Sequence, residues 1–378
     1  MNSLQHQQGL NEVVTRKVHQ MIDNKQANVR ETMQRLIYEG SIAQDYIAPV
    51  GVENSQKETS RVISFLNNGE LIMNLRKSPF TLHDNAIGQL AEKMDIPPSY
   101  LRGLVRGDDR QKQLAATVLN EHSAWTQRQR VLVRSVGTEV RGVLSDSYRR
   151  LNSINILTAF IEEAGRQGAM VADARMTDTK VWAETILPMP IVVHTVKNGD
   201  VVIFMGARFS TSDYGDGAVD IRAFLLNGAC LNGMVRESVM KQIHLGARLP
   251  DNLQLSSRTY ELDTQTTVSA TRDLTKSLFS RDLIMQKAIE IQGASEINVD
   301  FDSELRKLVK VGSLNKSDQE GVQKILMHNH SGDGMQGDST LWKLTQAISA
   351  HAREFEPRRC RELHELSGLL MNRVKIPA

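Results

Sequence analysis

The stretch "WTQRQRVLVRSVGTEVRGVLSDSYRR" (125–150) gathers side chains that could hold a polyanion. Arg128, Arg130, Arg134, Arg141, Arg149 and Arg150 stand against Glu139 and Asp146, a local excess of +4 in a chain whose net charge is +2. Val131 and Val133 alternate with Arg130, Leu132 and Arg134, so a strand here turns valines to one face and arginines to the other. Trp125 and Tyr148 flank the basic face. Guanidinium groups that follow a phosphate backbone, interleaved with rings that stack on bases, are what sequence-tolerant single-strand binding requires. The plainer alternative is a hairpin with a solvated outer face and two core aromatics.

Other candidates are weaker. His328 and His330, with Asp333 and Asp338, could ligate a divalent metal and support a nuclease or other hydrolase. They stand in the Gly-rich loop "HNHSGDGMQGD" (328–338), where such residues are more often simply exposed. No metal ligand, catalytic residue or cofactor is therefore assigned. "DYGDGAVD" (213–220) lacks the Gly-Lys-Ser/Thr ending of a P-loop and the spacing of an EF-hand, and reads as a turn between strands. "SLNK" (313–316) matches Ser-x-x-Lys with nothing nearby to make a nucleophile. Cys230 lies in an apolar run and reads as a buried small hydrophobe. The C-terminal run mixes Arg353, Arg358, Arg359, Arg361, Arg373 and Lys375 with Glu354, Glu356, Glu362 and Glu365, the usual make-up of a solvated helix face.

"QLAEKMDIPPSYLRGLVRGD" (89–108) has the form of a helix-turn-helix. Thr81 and Asp84 resemble a capping box. Ala86, Ile87, Leu90, Ala91 and Met94 share a face, and Pro97-Pro98 suits the first turn of a second helix. Arg102 and Arg106 would face outward, where a recognition helix reads bases. The segment upstream, "GELIMNLRKSPF", has the pattern of strand and turn, so the pair reads as a cover for a sheet. A DNA-binding regulator is the lesser alternative.

The elements that must position these residues follow from periodicity. Residues 1–40 place Val14, Val18, Met21, Ile22, Val29, Met33, Leu36 and Ile37 at spacings that suit an amphipathic helix or helix pair. Its stripe would dock on its own core or on a second copy of the chain, which makes homo-oligomerisation through this helix an expectation. "GVENSQKETS" (51–60) reads as a linker, and 61–80 as two short strands around Asn-Asn-Gly. Residues 81–120 read as helical and 130–145 as a hairpin turning at Gly137. A helix is expected at 153–166, strands through about 231, a helix from "NGMVRESVMKQIHL" (232–245), and helices over most of 265–373. The expected class is α+β: a mostly antiparallel sheet covered by helices, with a helical N-terminal extension and a helical C-terminal region. The expected divisions are 1–58, 59–260 and 261–378.

Composition is ordinary for a globular protein, with 40% hydrophobic and 24% charged residues. Two cysteines cannot form a zinc site alone, and a reducing cytoplasm suits them. The start of the chain lacks the pattern of a signal peptide, and no stretch approaches the ~18 apolar residues of a membrane span.

Four segments, "NAIGQLAEKMDIPPSYL" (85–101), "RVLVRSVGTEVRGVLSDSYRRLNSINIL" (130–157), "AVDIRAFLLNGACLNGM" (218–234) and "STLWKLTQAISAHAREFE" (339–356), resemble in order and spacing the phage- and plasmid-related family designated domain of unknown function 932. The resemblance spans about residues 60–375 and leaves out the first 40. It departs at "GAC", where many members carry a basic residue before the Cys. It implies a mobile-element protein in the cytoplasm of a bacterial host and supplies no reaction. The strand and helix order of 130–228 is also similar to the annealing cores of recombination proteins. Together these readings point to a single-stranded nucleic-acid binding or annealing protein whose partner is single-stranded DNA. It would act without a catalytic residue.

Overall fold

The computed structural model describes residues 2–50, 62–126, 130–148, 153–228, 231–242, 256–327 and 337–374. The expected linker at 51–60 lies outside them, as do Arg128, Arg149, Arg150, Cys230, His328, His330 and Asp333. The class is α+β: two largely antiparallel six-stranded sheets with helices at both ends of the chain.

The first sheet joins β1 (Ala43–Pro49), β2 (Ile63–Asn67), β3 (Leu71–Leu75), β4 (Ser78–Leu82), β5 (Arg130–Val136) and β6 (Glu139–Ser145) in the order β1-β5-β6-β4-β3-β2. Only β4 and β6 pair in parallel. The β5–β6 hairpin turns at Gly137, whose φ of 57° suits a residue without a Cβ. Helices α2 (Asp84–Lys93), α3 (Pro98–Val105) and α4 (Asp109–Trp125) cover one face. Their Ile87, Leu90, Leu101, Ala115 and Leu119 pack on Phe65, Met73, Val131, Val133 and Val143. The helix pair in 89–108 is thus a cover for a sheet. Thr81 is no cap; it lies on β4, and the N-cap of α2 is His83, whose Nδ1 accepts from Asn85 N at 3.1 Å.

The second sheet contains β7 (Met170–Met176), β8 (Val181–Ile186), β9 (Ile191–Thr195), β10 (Gly199–Thr211), β11 (Val219–Asn227) and β12 (Asn232–Gln242). Its order is β12-β11-β10-β8-β7, with β9 on the start of β10. The expected similarity of 130–228 to one annealing core is therefore divided, because the β5–β6 hairpin belongs to a different sheet from β7–β12.

Alternation along β10 sets the two faces of this sheet. Ile203, Met205, Ala207 and Phe209 enter the main core with Phe160 of α5 (Ser153–Arg166), which stacks on Phe209 at 5.3 Å. That core is completed by α6 (Ser257–Leu278), α7 (Arg281–Glu296), α8 (Phe301–Lys310), α9 (Lys316–Met327), α10 (Leu341–His351) and α11 (Pro357–Leu370). Residues 232–242 were expected to be helical but form β12. Met234 and Val235 enter different cores, as neighbours on a strand must, and two register irregularities in the β11–β12 pairing blur the period-2 signal.

The opposite face receives α1 (Asn2–Ile42), one continuous helix. Val14, Val18 and Ile22, at i, i+4 and i+8, bury 98% or more of their surface on Phe204, Phe224, Leu226 and Val235. Lower down, Gln26 Nε2 and Thr32 Oγ1 donate to the carbonyls of Val171 (2.9 Å) and Ala174 (3.0 Å), covering edge strand β7. Most of the apolar stripe of α1 packs on its own chain, while Ile37 stays exposed.

Candidate anion-binding pocket

Arg134 and Arg141 do not line an open face. Arg134 is 1% exposed. Its Nε and Nη2 form a bidentate pair with Asp45 at 2.7 and 2.8 Å, its Nη1 donates to the Asp213 carbonyl, and Tyr148 lies 5.9 Å below it. Arg141 is held by Glu39 (2.6 Å), Glu139 (2.7 Å) and the Asp178 carbonyl (3.1 Å). Both guanidinium groups stay charged, each carrying a pKa raised above the usual arginine value although burial opposes it. Tyr148 is buried beside Leu132 and Leu144, and burial pushes its pKa up. Arg130 is exposed. The side chain of Trp125 lies outside the described residues, as do Arg128, Arg149 and Arg150.

The reason is topological. The face of β5–β6 that carries these arginines meets the turn between β10 and β11, so it forms the joint between the two sheets. Asn85 and Gln89 of α2 donate to the Tyr214 carbonyl at 3.0 and 2.8 Å, and Gly142 comes so close to Tyr214 that a Cβ would lie 3.3 Å from its carbonyl oxygen. The outer arginines of the helix pair are also engaged, since Arg102 and Arg106 both bind Asp84, each at 2.9 Å. Of the proposed metal ligands only Asp338 lies among the described residues, which contain no metal-binding group of three or more His, Cys, Asp or Glu. No helix among them is long and apolar enough to cross a membrane.

A different constellation lies on the α1 side of the second sheet. Strand register places two charged rows side by side. One runs Asp173–Glu184–Arg208–Arg222, the other Arg175–Trp182–Ser210–Asp220. Met21 and Lys25 of α1 form one wall, and Cys360, Arg361 and His364 of α11, with Arg353 and Phe355, form the other. The pocket has a volume of about 360 Å³. Lys25, Arg175, Arg208, Arg353 and Arg361 line it against only Asp173 and Glu184.

Arg208 is 5% exposed. Its Nη2 reaches Glu184 and the Nδ1 of His364 (3.2 Å), and its guanidinium lies 5.1 Å over the Phe224 ring. Its Nε and Nη1 are buried without a partner. Arg361 gives Nε to Glu365 (2.9 Å) and Nη2 to Ser210 (3.1 Å), while its Nη1 is likewise buried and unpaired. Trp182, with Lys180 and Arg361 each about 6 Å from its ring centre, leaves Nε1 unpaired, and Asp173 leaves Oδ1 unpaired. Burying a polar group without a partner costs about 1–3 kcal/mol, more when it is charged, so residues that carry such atoms and line one cavity together mark a candidate place for a ligand.

The electrostatics agree. Burial, then the neighbouring Arg208, lowers the Arg361 pKa, although Glu365 and Asp220 oppose the shift. Arg208 holds the Glu184 carboxyl below the ordinary range although burial pushes the other way. His364 is driven down to about 3 by burial and then by Arg208, so it is neutral. A guanidinium has no lone pair to offer, so His364 Nδ1 must accept from Arg208 and the ring proton sits on Nε2. That nitrogen faces Cys360 Sγ at 3.9 Å and cannot take its proton, while burial raises the thiol pKa. The pair is not an activated nucleophile. What the arrangement can do is bind.

Sequence reasoning passed over Arg208, Glu184 and Trp182. A signal was present, since Arg208 interrupts "VVIFMGARFST", a strand with both faces otherwise apolar or small. In "VWAETI", Trp182 and Glu184 fall on the face opposite Val181 and Ala183. Arg361 was seen only as one charge on a mixed helix.

Compared with known proteins, the chain matches no family model, no curated protein and no solved structure. The likeness to the domain of unknown function 932 family rests on its four segments alone.

Proposed function

We propose that the protein binds nucleic acid as a single strand, without a catalytic residue, and that the pocket between α1, the second sheet and α11 seats one nucleotide of it. The observation that carries this reading is the pair of guanidinium side chains, Arg208 and Arg361, which line one cavity and each keep buried nitrogens without a partner. Phosphate, like carboxylate, suits such groups, because it presents several acceptor oxygens to a planar fork of donors. Lys25 and Arg175, both partly exposed, extend positive charge to the rim. Trp182 and Phe355 supply rings of the kind on which bases stack. The pocket volume lies at the small end of ligand sites, so it suits one nucleotide rather than a length of strand. The mobile-element setting implied by the resemblance agrees with this use.

The test is fluorescence anisotropy of a labelled oligonucleotide across a KCl titration. Wild type is expected to bind at low salt, with affinity falling linearly on logarithmic axes. Arg361→Gln combined with Arg208→Gln is expected to weaken binding by about 100-fold, two steps of about 1.4 kcal/mol each. No binding at low salt, or binding untouched in the double variant, overturns the proposal.

A further inference from the structure

Resting on that reading of the pocket, we infer that its preferred ligand group is a phosphomonoester, the phosphorylated end of a strand or a free mononucleotide, rather than an internal phosphodiester. The argument is one of matching donors to acceptors. Arg208 Nε and Nη1, Arg361 Nη1 and Trp182 Nε1 are buried and unpaired. Together they carry about six hydrogens, counting guanidinium and indole nitrogens in the usual way. A carboxylate offers about four lone-pair sites and one negative charge, too few for this set. A phosphomonoester offers three strong acceptor oxygens and a charge of about −1.5 to −2 near neutral pH, which suits two guanidinium groups facing one space. An internal phosphodiester offers one free oxygen fewer and roughly half the charge.

The remaining groups fit the rest of such a ligand. Asp173 Oδ1 is the one unpaired buried acceptor among the lining side chains, placed to receive a hydroxyl or amino hydrogen. Its other oxygen is already held by Lys25 at 3.0 Å and Arg175 at 3.2 Å. Met21, Phe224, Leu231 and Phe355 give the same cavity an apolar side where a base can lie. The neutral His364 matters as well, because it fixes Arg208 Nη2 and leaves Nε and Nη1 for the ligand.

The experiment compares oligonucleotides of one sequence, labelled at one end and carrying phosphate or hydroxyl at the other, in both polarities. Inorganic phosphate, a nucleoside monophosphate and the corresponding nucleoside serve as competitors. A phosphorylated end of one polarity is expected to bind about tenfold more tightly than the hydroxyl end. That advantage is expected to vanish in Arg361→Gln and to shrink about threefold in Trp182→Phe, which keeps a ring and removes only the N–H donor. A thermal melt of each variant establishes that it is folded. A mononucleotide that competes as well as the phosphorylated strand identifies the free nucleotide as the ligand, and a much tighter strand identifies the strand end; both support the inference. Equal affinity for phosphate and hydroxyl ends, with no competition by the monophosphate, overturns it. If Arg208→Gln still weakens that binding, the single-strand reading stands without the end preference. If no oligonucleotide binds at all, both fall.

Discussion

Arg134 and Arg208 are almost equally hidden, at 1% and 5% exposure, and each lies beside an aromatic ring within a strand. Their nitrogens are used in opposite ways. Arg134 has a carboxylate on two nitrogens and a carbonyl on the third, so it has nothing left for a ligand. Arg208 shares one nitrogen between Glu184 and His364 and leaves two unpaired. Burial alone therefore says little about the work of an arginine; the saturation of its donors says more. A saturated buried ion pair specifies how elements fit together, and an unsaturated one marks a cavity that is incomplete without a ligand.

The two regions should respond differently to acid, and this is the largest effect expected. His364 is surrounded by Arg208, Glu184, Lys25, Arg353 and Cys360, and its folded-state pKa of about 3 lies below its ordinary 6.5. A group lowered in this way favours folding when neutral. Its contribution is complete above pH 6.5 and is lost as the pH falls through that value toward 3. By linkage the full loss is on the order of 4–5 kcal/mol. Urea unfolding between pH 7.5 and 4 should show the decline. His364→Gln, whose amide oxygen can still accept from Arg208, should flatten it; an unchanged slope would place the acid sensitivity elsewhere.

The joint should respond instead to loss of charge. Arg134→Met removes the bidentate pair with Asp45 and the contact with the Asp213 carbonyl, and should cost about 3 kcal/mol of stability. The urea midpoint should fall, while the folded fraction binds oligonucleotide as wild type does. Weakened binding by folded Arg134→Met would erase the distinction between the two regions.

How much of this was legible in the sequence divides along the same line. The α+β class, the hairpin, α1 and the helix pair could be read because each depends on local periodicity. The alternation of Val131 and Val133 with Arg134 was also read correctly, since both faces of β5 exist as expected. What covers the second face could not be read. Apart from Glu139 beside Arg141, the partners of Arg134 and Arg141 are Asp45, Glu39 and the carbonyls of Asp178 and Asp213, remote in the chain, and the fold decides that they meet. The pocket was hidden for the same reason, because Arg208 and His364 are 156 positions apart. β12 was misread because its irregular pairing with β11 mixes the two periods.

A smaller effect should come from Arg361→Gln alone. The side chain is 14% exposed, and its partners keep other contacts, Asp220 with Arg222 at 2.7 Å and Glu365 with Arg222 at 3.1 Å. Stability should change by no more than about 1 kcal/mol. Affinity for a single strand should fall about tenfold, or about 1.4 kcal/mol, in the same anisotropy measurement.

The smallest effect is expected at Arg130, the one hairpin arginine among the described residues that is both exposed and a candidate from sequence. It begins β5 opposite Pro49, at the far end of the strand from the turn at Gly137. An exposed arginine in such a position contributes to stability within about 0.5 kcal/mol. If strands bind only at the pocket, Arg130→Ala leaves both affinity and salt dependence as they are. If a strand also passes over the hairpin, losing one phosphate contact lowers the slope of log affinity against log salt by about 1. Slope is the better measure, because it counts contacts even where each is weak. A reduced slope with unchanged Arg361 dependence would join the two regions into one path for the strand, with the hairpin as its outer edge and the pocket as its end.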